Sequence, residues 1–138
     1  MPSGAVVDAL ERAPSDRRPV VLVVEDDTCV ADLLTEVLDA CGYAVERATT
    51  AAEARRKVGR SQPVLVVLDL ILPDLDGLIL CADIRRETGI PIVVVSGTNR
   101  KRDAALSLRL GADDFIVKPF DVAELEERIR TVLRRAAV

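Results

Sequence analysis

The sequence predicts a doubly wound α/β fold on a five-stranded parallel sheet. From residue 19 onward, short Val- and Ile-rich runs alternate with amphipathic segments of helical period, and five such pairs can be counted. The apolar runs are continuous rather than alternating, as strands buried on both faces require. The chain has 138 residues, 49% of them hydrophobic, which is enough for one core and too short for two ordinary domains.

Each element has its own signal. Residues 1–18 mix Pro, Gly, Ser and charge around Val6, Val7 and Leu10, and read as a flexible N-terminal extension that leaves 19–138 as the domain. Val20–Val24 is the first strand. Val30, Leu33, Leu34, Val37 and Leu38 then form one apolar helical stripe that Gly42 can terminate. The second strand is Ala44–Arg47, with Thr49 and Thr50 as helix-start residues. The third, Val64–Leu68, ends at Asp69 and leads into a loop with Pro73 and Gly77 as turn residues. Ile92–Val95 and Phe115–Val117 complete the sheet. Asp121 is the expected cap of the last helix, whose stripe is Val122, Leu125, Ile129 and Val132. Arg128, Arg130, Arg134 and Arg135 lie toward its negative end.

Composition excludes several functions. There is no His, which removes histidine bases, histidine metal ligands and the Ser/His and Cys/His dyads. The net charge of −4 disfavours direct nucleic-acid binding by this chain. Cys29, Cys41 and Cys81 are odd in number and form no C-x-x-C, so they read as apolar fillers in a reducing, cytoplasmic setting. No apolar run reaches membrane-spanning length, and no signal-peptide core is seen at the N-terminus.

In such a sheet the ligand site lies beyond the carboxyl ends of the strands. Those positions hold Glu25-Asp26-Asp27, Asp69, Ser96-Gly97-Thr98 and Lys118-Pro119. Three converging carboxylates repel one another, by about 4 kcal/mol for a pair ~4 Å apart at an effective dielectric near 20. A hard divalent cation such as Mg²⁺ would answer that repulsion. Asp26-Asp27-Thr28 would serve equally well as a helix cap, and Asp69 as a turn cap. A carboxylate beside a cation can instead be a nucleophile that forms an aspartyl phosphate, with Lys118 and Ser96 as donors to phosphate oxygens.

The set VLVVEDD, VLVVLDLILPDLDG, IPIVVVSGT and GADDFIVKPF resembles the receiver domain of bacterial two-component response regulators, over about residues 19–136. The resemblance implies a flavodoxin-like (βα)5 fold with strand order 2-1-3-4-5. It also implies that Asp69 accepts a phosphoryl group from a sensor histidine kinase or a small phosphodonor. Glu25, Asp26, Asp69 and the main-chain carbonyl of Ile71 correspond to the family's Mg²⁺ ligands, and Ser96 and Lys118 to its phosphate-contacting hydroxyl and lysine. Phe115 matches the switch aromatic that turns inward when Ser96 moves, and Lys118-Pro119 the family's cis peptide. Ile71 and Thr98 match the positions that flank water's approach to the acyl phosphate; neither is a good general base, so self-dephosphorylation is expected to be slow. The protein is thereby expected to be a phosphoacceptor rather than an enzyme.

The segment GADDFIVKPFDVAELEERIRTVLRR is most similar to the OmpR/PhoB subfamily of transcription regulators. That likeness implies a homodimer, when phosphorylated, through the fourth helix, fifth strand and fifth helix. Asp114 would pair across the two-fold with Arg128, and Glu124 and Arg135 match further charged positions. The fourth-helix position that would answer Glu124 holds Ala104, although Arg100, Lys101 and Arg102 lie one turn earlier. Two outputs are compatible with the sequence: transcription control through a DNA-binding domain outside this chain, or a stand-alone receiver acting by protein binding or phosphorelay.

Overall fold

The computed structural model describes residues 18–97 and 101–136. Residues 1–17, Thr98 and Arg100 lie outside the described residues. Five strands and five helices alternate: β1 (Val20–Val24), α1 (Thr28–Ala40), β2 (Ala44–Ala48), α2 (Ala51–Ser61), β3 (Leu65–Leu68), α3 (Gly77–Glu87), β4 (Ile92–Ser96), α4 (Lys101–Leu110), β5 (Asp114–Val117) and α5 (Val122–Ala136). All neighbouring strands are parallel, in the order β2-β1-β3-β4-β5, as expected. β1 has the ends read from the sequence, and each of the other four strands differs by one residue at one end. Val64, for instance, is 38% exposed and lies outside β3, because it precedes the first two-sided burial at Leu65.

The sheet divides the interior into two cores, and the pleat decides which residue serves which. Leu22, Val24, Val66, Leu68, Ile92 and Val94 pack with α2 and α3, and Phe115 leans on this cluster. Val21, Val23, Leu65, Val67, Val93 and Val95 pack with α1 and α5. Only part of each helical stripe is buried. Leu33 and Val122 are exposed at the stripe edges, and Ala31 takes a buried place in α1. The filler reading of the cysteines holds for Cys81 alone, since Cys29 and Cys41 are exposed. α4 has a single buried residue, Ser107, while Leu108 and Leu110 are exposed. Among the described residues no helix is long and apolar enough to cross a membrane.

Parallel register places the site. Val24 of β1 lies beside Leu68 of β3, so the next residues, Glu25 and Asp69, leave the sheet side by side. The Asp69 N–H donates to Val24 O at 3.0 Å, and the Glu25 N–H to Ala48 O at 2.9 Å. On the other flank the Lys118 N–H donates to Ser96 O at 2.9 Å, which brings the ends of β4 and β5 to the same edge.

Candidate functional site

Asp69 is the centre of this edge. It is 6% exposed, and its two oxygens are occupied from different sides. Oδ1 accepts from the Ile71 N–H at 3.1 Å and from Ser96 Oγ at 3.2 Å; Oδ2 accepts from Lys118 Nζ at 3.2 Å. Lys118 Nζ also donates to Glu25 Oε1 at 2.8 Å, so one partly buried ammonium bridges two buried carboxylates. The Lys118–Pro119 peptide is cis. Glu25 Oε2 accepts from the Asp27 N–H at 3.1 Å.

Burial pushes the Glu25 carboxyl above its usual range, and the neighbouring Asp69 adds to this against the pull of Lys118. For Lys118 the desolvation that would lower its value is outweighed by the Glu25 hydrogen bond and the two carboxylates, and its net direction is upward. Glu25, Asp26 and Asp69 offer carboxylate oxygens that all lie within 4.8 Å of one another. One lysine does not balance three carboxylates, and Asp26 is exposed to solvent and makes no hydrogen bond to the described protein. Oxygen-only donors, excess negative charge and a solvent-facing side fit a hard divalent cation that keeps part of its water shell.

The Asp26-Asp27-Thr28 ambiguity resolves within one residue. Asp27 is the N-cap of α1, its Oδ1 accepting from the Cys29 and Val30 N–H groups at 2.9 and 3.2 Å, and Asp26 is left to the site. Phe115 stands on β5, two strands from the β3 end that carries Asp69, partly buried on the α2/α3 side. Asp114, Glu124 and Arg128 meet at the β5–α5 edge, but within one chain: Arg128 Nη1 to Asp114 Oδ1 is 2.8 Å and Arg128 Nη2 to Glu124 Oε2 is 3.1 Å. Arg135 is exposed and does not join them.

The loop after β3 carries residues whose roles the sequence reading did not identify. Asp76 caps α3 by accepting from the Leu78 N–H at 2.9 Å. Gly77 is more than a turn residue, because a Cβ there would lie 2.4 Å from Leu70 Cα and 2.7 Å from Asp69 O. Asp74 reaches α2, accepting from the Ala51 and Ala52 N–H groups at 2.8 and 3.1 Å. An Asp after Pro announces a turn; it does not announce which distant helix its carboxylate will meet.

Comparison with known families decides the relationship. The model of the response regulator receiver domain matches residues 21–130. The chain belongs to this family. As a receiver domain of two-component response regulators it is a regulatory phosphoacceptor, and the acidic pocket of such domains binds Mg²⁺. A probable transcriptional regulator ycf27 of Porphyridium aerugineum is 44% identical over 115 residues, 83% of this chain and 48% of the relative. The transcriptional regulatory protein BaeR of Escherichia coli O6:H1 is 40% identical over 120 residues, 87% of this chain and 50% of the relative. These likenesses agree with an OmpR/PhoB-like subfamily. The chain therefore spans about half the length of the curated relatives it matches. Among solved structures, the BeF3-activated N-terminal receiver domain of Klebsiella pneumoniae RstA aligns with a TM-score of 0.80 at 35% identity, covering 83% of this chain and 98% of that one. A CheY-like receiver domain protein from Methanospirillum hungatei JF-1 aligns with a TM-score of 0.81 at 31% identity, covering 87% and 97%.

Proposed function

We propose that Asp69 is the phosphoacceptor of this receiver and that a sensor histidine kinase, or a small phosphodonor, supplies the phosphoryl group. A carboxylate oxygen of Asp69 attacks phosphorus as the bond to the donor nitrogen or oxygen breaks, leaving an acyl phosphate and the released donor. The observation that supports this best is the meeting of Glu25 and Asp26 with Asp69, while Lys118 and Ser96 approach the same carboxylate. Such transfer depends on positioning and charge neutralisation more than on proton transfer, so a chain without His is not handicapped.

Glu25, Asp26, Asp69 and the Ile71 carbonyl would hold Mg²⁺, which supplies charge neutralisation for the incoming phosphoryl oxygens. Lys118 is a point charge for the same oxygens, and Ser96 a hydroxyl donor. Ser96 moving toward the phosphoryl group frees the space into which Phe115 turns, which carries the event to α4, β5 and α5. Self-dephosphorylation is slow because the aliphatic Ile71, 65% exposed, cannot activate water; Thr98, the second flanking position, lies outside the described residues.

In this reading residues 19–138 form the receiver unit, with 1–18 as an extension, and the protein works in the cytoplasm. It controls transcription through a separate DNA-binding domain, and the receiver unit does not itself bind nucleic acid. The phosphorylated form dimerises through Asp114, Glu124, Arg128 and Arg135. The alternative is a stand-alone receiver that acts by protein binding or phosphorelay and needs no such dimer. Light scattering with Mg²⁺ and beryllofluoride separates the two. A doubled mass that needs both additives and is lost in Asp69→Ala supports the dimer; an unchanged mass supports the stand-alone receiver.

A further inference from the structure

The loop from Asp69 to Gly77 is closed at its neck. The Gly77 N–H donates to Leu70 O at 2.8 Å, and Ile71 and Asp76 form an antiparallel bridge. These ties join the loop to itself, and Leu72 and Leu75 rest its flanks on the α2/α3 core. Asp74, at the tip, adds the polar link to α2, its two oxygens receiving the Ala51 and Ala52 N–H groups. Two further N–H groups of that helix start are satisfied from within, Glu53 N–H by Thr50 Oγ1 at 3.1 Å and Ala54 N–H by Thr50 O at 3.0 Å. Thr50 and Asp74 thus cap one helix end together, but only Asp74 belongs to the loop. Asp69 itself is set by the sheet, whereas Ile71 lies beyond the strand and depends on the loop for its position.

We propose that Asp74 is a positioning residue for the candidate cation site: by clamping the loop tip to α2 it holds Ile71, and so the backbone beside Asp69, in the arrangement that receives the cation. This rests on the site reading above. Residues that orient metal-binding groups without touching the metal characteristically change affinity by 10- to 100-fold when removed.

The test is Mg²⁺ affinity by calorimetry on the full chain, comparing wild type, Asp74→Ala, Asp74→Asn and Thr50→Ala at a temperature where circular dichroism shows all four folded. Thr50→Ala removes the other half of the same cap without touching the loop. The expected result is an affinity roughly tenfold weaker in Asp74→Ala, a smaller loss in Asp74→Asn, which keeps one acceptor oxygen, and a value near wild type in Thr50→Ala. The Ile71 amide, followed by NMR hydrogen exchange without Mg²⁺, is expected to exchange faster in Asp74→Ala alone. Equal affinities in wild type and Asp74→Ala, or equal losses in Asp74→Ala and Thr50→Ala, would overturn the proposal while leaving the site reading intact. A wild type that binds no Mg²⁺ would overturn both.

Discussion

Lys118 shows how a single residue makes the site possible: its ammonium bridges Glu25 and Asp69, which would otherwise be two buried like charges beside one another. Glu25, Asp69 and Lys118 were legible because each ends an apolar run, and parallel register fixes where such runs end. Asp74 was not, since its partners are 22 and 23 residues away in a helix to which no local pattern ties it. Cys81 gives the residue-scale prediction. Burial pushes its thiol up to about 11 from an ordinary value of 9.0, so the folded chain keeps a proton there that the unfolded chain releases above pH 9. Stability therefore falls as pH rises between those values, by at most about 1.4 kcal/mol per unit. Urea titrations at pH 8 and 10 check the sign, and a thiol reagent at pH 8 is expected to modify Cys29 quickly, Cys41 more slowly because burial and the neighbouring Glu126 push its thiol up, and Cys81 only on unfolding.

At the scale of elements, helical periodicity identified α1 and α5, while their edges were set by packing that periodicity does not contain. Leu33 and Val122 lie at those edges and face solvent. The start of α3 carries a sharper conflict between local preference and fold. Ala at Gly77 would favour a helix by about 1 kcal/mol, yet its Cβ would meet Leu70 and Asp69 backbone at 2.4–2.7 Å. Backbone cannot yield as a flexible side chain can, so the collision dominates. Gly77→Ala is expected to lose about 1–3 kcal/mol in a denaturant titration and to slow phosphoryl uptake, because the displaced atoms include the carbonyl of Asp69. An unchanged stability and uptake rate would show that the loop adapts.

For the molecule as a whole, a sheet buried on both faces leaves its carboxyl edge as the place where polar chemistry can gather, and the ends of β1, β3, β4 and β5 deliver it there. The strand order was implied only by the family resemblance, whereas the parallel sheet and the site edge were readable from alternating patterns and from the polar residues that succeed each apolar run. The position of Ser96 against Asp69, the division of labour between Asp26 and Asp27, and the pairing of Arg128 within one chain were not, because each depends on angles and distances between elements. If this assembly phosphorylates Asp69, intact-mass spectrometry after incubation with phosphoramidate and Mg²⁺ will find one added phosphoryl group on the wild type and none on Asp69→Asn or when the cation is chelated. An unmodified wild type, or equal modification of Asp69→Asn, would rule out phosphorylation at Asp69.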